Sequence, residues 1–191
     1  MFRDAPVQEL CVRVKARAGI DPFRKEERRS SRLKILAAPP FISDDSCMAK
    51  PRKVLFVCMG NCVRSQMAEA LARHHFPEDI CAESAGIHPL GFIDPTAREA
   101  VEESGASMAG QFSKGLHAHA VDESDLIVNM SGVPGGRVFH GKVFEDWVIA
   151  DPFGEDLDTH RRIRDDIESR IKALVARLRD DSKKQSATGG A

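Results

Sequence analysis

The sequence predicts an α/β fold in which a doubly wound, four-stranded parallel sheet carries helices on both faces. Residues 54–57 form a continuous apolar run, which is typical of a strand buried on both faces of a parallel sheet. Further short apolar runs follow along the chain, together with segments whose apolar residues recur at helical spacing. Strands that alternate with helices in this way favour a parallel sheet.

The predicted strands are residues 54–57, a second strand that begins around 80–82 and ends at 84–86, residues 126–128 and residues 142–144. One helix is predicted between the first two strands and a long helix at the end of the domain. The residues at helical spacing in the helix between the first two strands are Met67, Ala70, Leu71 and His75. The apolar stripe of the long final helix comprises Ile163, Ile167, Ile171, Leu174 and Leu178.

A further helix, between the second and third strands, has both a start and a stop signal. Asp94 suits the N-cap, Pro95 suits the first helical position, and Gly105 lies just past the expected end. The sequence therefore predicts a helix that begins at Pro95 and ends before Gly105.

Residues 51–180 are predicted to form a single domain, since 191 residues leave no room for a second large one. Residues 1–50 include a mixed charge run at 24–32, which predicts a poorly ordered extension. An alternative is that Met48 is the native start. Residues 181–191 are polar and small, which predicts a disordered tail.

Composition excludes several classes of protein. A net charge of −1 argues against general nucleic-acid binding, and the chain has no apolar run long enough for a membrane span. The five cysteines lack the spacing of a disulfide scaffold or a zinc site, and the first residues lack the apolar core of a signal peptide. We therefore expect a cytoplasmic monomer that binds neither nucleic acid nor membrane.

The segment 58–65 lies between the first strand and the first helix, where open α/β sheets bind their ligands. A short loop that contains Gly60 can turn its backbone N–H groups inward and bind a phosphate-like oxyanion at the helix N-terminus. The same positive environment favours the thiolate of Cys58, the form that acts as a nucleophile. Arg64 can hold two oxygens of a phosphoryl group, and Ser65 can donate a hydrogen bond to the sulfur.

The alternative interpretation is an inert buried thiol and a surface arginine, because this spacing also arises by chance. The strand before Cys58, the helix after it and the residues Gly60, Asn61 and Ser65 around it favour a catalytic loop. The fold prediction therefore includes a phosphate-binding loop after the first strand.

Residues 54–70, Val-Leu-Phe-Val-Cys-Met-Gly-Asn-Cys-Val-Arg-Ser-Gln-Met-Ala-Glu-Ala, resemble the N-terminal signature of the low-molecular-weight protein tyrosine phosphatases. The resemblance continues through Ser-Ala-Gly at 84–86 and Ser-Asp-Leu-Ile at 124–127. It ends with Asp-Pro-Phe-Gly at 151–154, after Trp147, and so covers residues 52–179. The family shares its fold with the thioredoxin-type arsenate reductases.

The resemblance implies a two-step phosphomonoesterase that needs no metal and no cofactor. It implies that Cys58 attacks phosphorus and that Arg64 binds the phosphoryl oxygens, while Asp151 is the general acid. It also implies that Asn61 and Ser84 support the loop. The other residues predicted to bind phosphate or support the loop are Met59, Gly60, Cys62, Val63 and Ser65, and Phe153 is expected to form an aromatic wall of the substrate pocket.

The chemistry of the reaction also supports Asp151 as the general acid, independently of the resemblance. A tyrosine leaving group with a pKa near 10 departs faster when it is protonated, by about 10²- to 10⁴-fold. The alternative is an Asp-Pro turn next to a helix. Asp156 and Asp158 lie nearer the final helix and are expected to cap it.

The sequence departs from the family at several positions. Relatives usually place a second cysteine directly before the arginine, where this chain has Val63, and Cys62 is either a packing residue or the partner of Cys58 in a redox disulfide. Gly110 aligns with a loop-supporting histidine of relatives. Residues 122–136 contain no cysteine, although thioredoxin-coupled arsenate reductases need two there. The paired histidines at 74–75 and 117–119 have no third ligand beside them, so no metal site is predicted.

The sequence predicts hydrolysis of a phosphotyrosyl protein or a small aryl phosphate through a cysteinyl-phosphate intermediate. One alternative is reduction of arsenate with a small-molecule thiol as the electron donor, because arsenate fits the same loop. Another is a non-catalytic module that binds oxyanions.

Overall fold

Strand β1 (Arg52–Cys58) lies inside the sheet, between β2 (Ile80–Gly86) and β3 (Leu126–Asn129), and pairs with both in parallel. Strand β4 (Phe144–Asp146) pairs in parallel with β3, which gives the order β2-β1-β3-β4. The predicted four-stranded parallel sheet is therefore confirmed. The computed structural model describes residues 50–188, so residues 1–49 of the predicted extension, with Met48, and residues 189–191 lie outside the described residues.

The helices cover both faces of the sheet, as expected for a doubly wound fold. Helices α1 (Arg64–His75), α2 (Pro95–Glu102) and α4 (Leu157–Thr188) pack on the face to which Val54 and Phe56 of β1 point. The short helix α3 (Ala118–Glu123) lies on the other face, with Leu55 and Val57. Both sets of β1 side chains are buried, which explains why the strand is apolar at every position from Val54 to Cys58.

Helix α2 begins as the sequence predicts. The Asp94 carboxylate accepts hydrogen bonds from the backbone N–H groups of Thr96 and Ala97, at 2.8 and 3.1 Å. Gly105 has a φ of 84°, a conformation that glycine adopts without strain, and it turns the chain after the helix. Because Asp94 N also donates to the carbonyl oxygen of Cys62, this cap fixes the start of α2 beside the loop after β1.

The fourth strand and the C-terminal helix differ from the prediction. The fourth strand starts at Phe144 rather than Lys142, because the ladder pairs Phe144 with Ile127 and leaves Val143 largely exposed to solvent. Helix α4 continues to Thr188, so residues 181–188 are helical rather than a disordered tail. Lysine, glutamine and alanine in that segment are good helix formers, which explains the extension. Within residues 50–188, no helix combines the length and the apolar character of a membrane span.

Candidate active site

The loop from Cys58 to Ser65, called the phosphate-binding loop below, joins the carboxyl end of β1 to the start of α1. Its carbonyl oxygens at Cys58, Met59, Gly60 and Cys62 accept hydrogen bonds from backbone N–H groups of residues 87–94. In a trans peptide the next N–H group points the opposite way, so the N–H groups of this loop turn toward its centre. That arrangement forms a concave set of donors suited to an oxyanion.

The N-terminus of α1 adds to this positive region. Val63 occupies the N-cap and makes no side-chain capping hydrogen bond. The N–H groups of the first helical turn are therefore not used by a cap, and the positive end of the helix dipole faces the loop. A buried helix start without a cap is typical of an anion-binding site.

The Cys58 sulfur lies at the base of the loop and is almost completely buried. Its Sγ atom is 3.0 Å from the hydroxyl oxygen of Ser65 and accepts a hydrogen bond of 3.2 Å from the backbone N–H of Asn61. Hydrogen bonds to a sulfur stabilise its thiolate form. The structure therefore places Ser65 where the sequence predicts it, next to the candidate nucleophile.

Asn61 holds the loop together through its side-chain amide. The Nδ2 group donates to the hydroxyls of Ser65 (2.8 Å) and Ser84 (2.9 Å), while Oδ1 accepts from Gln66 Nε2 (2.9 Å) and Lys114 N (2.7 Å). Asn61 has a φ of 45°, the only positive φ of a non-glycine residue among residues 50–188. Asparagine tolerates this conformation better than most residues do. Asn61 thus hydrogen-bonds to Ser65 within the loop and to Ser84 on β2.

Replacing Asn61 with alanine should lower the free energy of unfolding by about 3 kcal/mol or more. Several buried donors and acceptors lose their partner, and each unsatisfied group costs roughly 1–3 kcal/mol. Urea denaturation measures the effect. Asn61→Gly is the matched control, because glycine relieves any cost of the positive φ but restores no hydrogen bond. Wild-type stability of Asn61→Gly would show that the side-chain amide contributes little.

The guanidinium group of Arg64 is buried beside the loop. Its Nη1 donates to the carbonyl oxygens of Met130 (2.9 Å) and Ile149 (3.3 Å), and its Nη2 donates to the carboxylate of Asp151. The Nε group is buried and has no hydrogen-bond partner among the described residues. A buried, unpartnered donor next to a ring of N–H groups is consistent with a site that receives an oxyanion.

Asp151 reaches this site from the segment between β4 and α4. Its side chain is about half exposed, 49%, although it contacts the buried Arg64. A carboxyl group that faces both solvent and the phosphate-binding loop is placed to exchange a proton with a substrate. Asp156 instead accepts a hydrogen bond from Thr159 N (2.8 Å) at the start of α4, as expected of a capping residue. The hydrogen bond from the Thr159 side chain holds the pKa of Asp156 below its usual value.

Two aromatic rings stand at the mouth of the site. Phe153 follows Asp151 by two residues, and its N–H donates to the Asp151 carboxylate at 3.3 Å. The Phe153 ring lies 6.2 Å from that of Phe92, centroid to centroid, and both are partly exposed. Phe92 belongs to the same segment as Leu90, whose side chain lies over Gly60. Phe153 was expected as a wall of the pocket. Phe92 was not, because its contact with Phe153 joins two segments far apart in the chain and is known only from the fold.

Cys62 is buried in the same loop, with its sulfur close to Gly60. Burial, followed by the negative charges of Cys58, Asp151 and Asp94, raises the pKa of Cys62 to about 11. A thiol that stays protonated at neutral pH attacks other sulfur species slowly. This favours the packing interpretation of Cys62 over a redox disulfide with Cys58.

Sequence reasoning missed a group of polar residues behind the loop. Glu69 lies in the buried half of α1, where it accepts a hydrogen bond from the Ser84 hydroxyl and ion-pairs with Lys114 at 3.1 Å. The sequence signal for the burial of Glu69 was the small residues around it, which indicate a helix packed closely on several sides. Gly110, the position where the resemblance led us to expect a histidine in relatives, has a φ of 78°, and a Cβ added there would have open space around it.

No group of three or more His, Cys, Asp or Glu residues within residues 50–188 has the geometry of a metal site. The two histidine pairs named above lie apart from the phosphate-binding loop. The His75 ring lies 3.7 Å from the Glu168 carboxylate, and the His119 ring lies 3.3 Å from the Glu123 carboxylate.

Comparisons with known proteins agree with this geometry. Residues 53–184 match the sequence model of the low molecular weight phosphotyrosine protein phosphatases. A glutaredoxin arsenate reductase of Synechocystis sp. is 33% identical over 131 residues, a region that covers 66% of this chain and 98% of the relative. The match therefore spans nearly the whole of that protein.

Solved structures of two phosphatases are also similar. The YwlE arginine phosphatase from Geobacillus stearothermophilus has a TM-score of 0.63 and 27% identity, with 70% of this chain and 97% of that chain covered. The tyrosine phosphatase AmsI of Erwinia amylovora has a TM-score of 0.60 and 27% identity, with 67% and 93% covered. The relatives thus share one fold but act on different oxyanion substrates.

Proposed function

Because the chain belongs to the low-molecular-weight phosphotyrosine protein phosphatase family, we propose that it hydrolyses phosphotyrosine or aryl phosphates through a cysteinyl-phosphate intermediate. It is an enzyme of this superfamily, whose members include both phosphatases and arsenate reductases. The observation that carries the choice of a phosphatase is the turn of chain from Asp151 to Phe153. In that turn the Asp151 carboxylate binds Arg64 and accepts a hydrogen bond from the backbone N–H of Phe153, which supports a role for the Phe153 ring beside the leaving group.

In the first step, the Cys58 thiolate attacks phosphorus, a P–S bond forms and the P–O bond to the leaving group breaks. Arg64 and the N–H groups of the loop stabilise the charge on the transferring phosphoryl oxygens. Asp151, protonated in this step, gives its proton to the departing oxygen. The rings of Phe92 and Phe153 would hold an aromatic leaving group at that point.

In the second step, water attacks the phosphocysteine, the P–S bond breaks and inorganic phosphate forms. The Asp151 carboxylate takes the proton from water, and the Ser65 hydroxyl donates a hydrogen bond to the departing Cys58 thiolate. Both steps use residues that the fold brings together from β1, α1 and the segment before α4. No metal or cofactor is needed in this scheme.

The experiment that tests this proposal is hydrolysis of phosphotyrosine and phenyl phosphate by the full chain, measured as phosphate release. We expect turnover with both esters and weaker activity on an alkyl phosphate such as glycerol phosphate, which offers no ring to Phe92 and Phe153. Phosphoarginine is the informative additional substrate, because one structural relative is an arginine phosphatase. A clear preference for phosphoarginine over both aryl esters would contradict the proposed substrate class.

Arsenate reduction with a small-molecule thiol is the second candidate, favoured by the 33% identity to a glutaredoxin arsenate reductase. Cys58 would displace water from arsenate to form a thiol-arsenate adduct. An external thiol would then attack the Cys58 sulfur and reduce arsenic from As(V) to As(III), leaving a mixed disulfide that a second external thiol reduces. Residues 122–136 contain no cysteine and therefore supply no internal thiol.

Arsenate should therefore inhibit aryl-phosphate hydrolysis competitively but be a poor substrate with thioredoxin as the reductant. The measurement is thiol oxidation in the presence of arsenate, with thioredoxin and with glutathione plus glutaredoxin as donors. Fast arsenate-dependent oxidation of thioredoxin would contradict the phosphatase proposal. Fast oxidation of glutathione together with negligible ester hydrolysis would favour the second candidate.

A further inference from the structure

The ammonium group of Lys114 lies directly behind the phosphate-binding loop, although the residue is distant from the loop in sequence. Its Nζ atom is 3.1 Å from the Glu69 carboxylate and 3.3 Å from the Ser84 hydroxyl. The backbone N–H of the same residue donates to Asn61 Oδ1 at 2.7 Å. Lys114 therefore touches both residues that support the loop, once through its side chain and once through its backbone.

Glu69 is a buried carboxylate, with only 2% of its side chain exposed. Its Oε2 atom faces Lys114 and Ser84, and its Oε1 atom binds the guanidinium of Arg73 at 2.6 Å. A buried carboxylate without an opposite charge is costly, and Lys114 and Arg73 supply the opposite charges here. An ionised carboxylate can only accept hydrogen bonds.

These contacts fix the direction of the hydrogen bonds at Ser84. Its oxygen accepts from Asn61 Nδ2 and from Lys114 Nζ, and the single hydroxyl proton is then directed to Glu69. A hydroxyl has one proton and two acceptor positions, so all three are used. Lys114 fills the last acceptor position.

The orientation of the Asn61 amide determines the direction of the hydrogen bond between Ser65 and Cys58. Because Lys114 N and Gln66 Nε2 both donate to Oδ1, the Nδ2 group must face Ser65 as a donor. The Ser65 oxygen thus accepts from Asn61, and its proton is free to point at the Cys58 sulfur 3.0 Å away. Rotating the Asn61 amide so that Oδ1 faced Ser65 would turn the Ser65 proton away from Cys58.

We propose that Lys114 is a positioning residue whose ammonium and backbone N–H groups fix Ser84 and Asn61, so that Ser65 donates to the Cys58 thiolate. The inference rests on the proposed function, because it assumes that Cys58 reacts as a thiolate. Lys114 does not contact the reacting sulfur itself. Its side chain is 24% exposed, so small solutes can reach the space that it occupies.

The test is Lys114→Ala, assayed with and without propylammonium, which replaces the atoms that the substitution removes. Propanol, which has a similar shape and no charge, is the matched solute. We expect kcat/KM for phenyl phosphate to fall about tenfold, the loss typical of one hydrogen bond to a charged group. Propylammonium should restore activity several-fold, propanol should not, and Lys114→Arg should retain more activity than Lys114→Ala.

Arg73→Ala is the control variant, since it removes the other cation on Glu69 but makes no contact with Ser84. It should lose less activity than Lys114→Ala. Equal losses in the two variants would show a general charge effect and overturn the proposal, as would full activity of Lys114→Ala. Equal recovery with propanol would show that Lys114 only fills space. If Lys114→Ala does not fold, Lys114→Met, which keeps the length of the side chain, takes its place.

A second readout keeps this inference separate from the proposed function. The rate at which iodoacetamide alkylates Cys58 at pH 6, followed by peptide mass spectrometry, depends on its thiolate and not on turnover. Lys114→Ala should slow this alkylation, and propylammonium should restore it. Absence of phosphatase activity in the unmodified chain would remove the proposed function alone, whereas unchanged alkylation in Lys114→Ala would remove the positioning role.

Discussion

Cys58→Ser should lower the turnover of aryl phosphates by about 10⁴-fold or more, because a serine hydroxyl at this position has no base to activate it. Binding of inorganic phosphate should change only a few-fold, since the oxyanion is held by backbone N–H groups and Arg64 rather than by the sulfur. Phosphate release and calorimetric titration with phosphate measure the two effects separately.

Cys81→Ser is the matched control. Cys81 is exposed on β2, and we place it outside the site, so its replacement should leave turnover unchanged. Residual turnover of a few per cent in Cys58→Ser would exclude covalent catalysis by Cys58. Loss of phosphate binding in the same variant would show that the sulfur shapes the loop as well as reacting.

Asp151→Asn should slow the phosphorylation of Cys58 by phenyl phosphate about 10²-fold or more, within the usual range for general acid catalysis. The amide keeps the size of the side chain and an acceptor for Arg64 but has no proton to transfer. Nitrophenyl phosphate should lose much less in the same step, because its leaving group departs without a proton. Single-turnover rates with the two esters provide the comparison, since steady-state rates also include the second step, in which Asp151 activates water.

Equal losses for both esters would show that Asp151 only holds Arg64 in place. The acid would then have to be sought among Asp146, Glu155 and Asp156. Of these, Asp146 accepts from Asn129 Nδ2 and Gly135 N, which ties it to the β3 side of the sheet. If Asp151 is the acid, Asp156→Asn is the control variant, because it removes a carboxylate that caps the start of α4 through Thr159 N. We expect its single-turnover rates to match those of the unmodified chain for both esters.

Most of the fold could be predicted because the strongest patterns are local. The continuous apolar run of β1 and the Asp94-Pro95 start of α2 each depend on neighbouring residues alone. The end strand β4 was placed two residues early because edge strands have one open side. Its polar residues Glu145 and Asp146 lack the apolar pattern, while the exposed Val143 imitates it.

The residues of the site fall into two similar groups, those indicated by local sequence and those found only from the fold. Cys58, Arg64 and Ser65 lie within one loop and helix start, so their spacing in the sequence indicates their geometry. The carbonyl bonds that hold Arg64, and the contact between Phe92 and Phe153, join segments far apart in the chain and could be found only from the fold.

Glu69 and Lys114 were missed for a related reason. A glutamate in a helix and a lysine in a loop are usually solvated, and nothing near either one in sequence indicates that they meet. Their pairing follows from the position of the Lys114 segment beside β2, where Gly86 N donates to the Lys114 carbonyl oxygen at 2.9 Å.

The central claim is that Cys58 carries the phosphoryl group during the reaction. Asp151→Asn should accumulate this intermediate with nitrophenyl phosphate, because formation stays fast while the activation of water is lost. A rapid quench into denaturant, followed by peptide mass spectrometry, measures the phosphoryl content of each residue. The account predicts close to one phosphoryl group per chain on Cys58, formed as fast as the burst of nitrophenol. A burst with no phosphate on Cys58, or with phosphate on another residue, would contradict it.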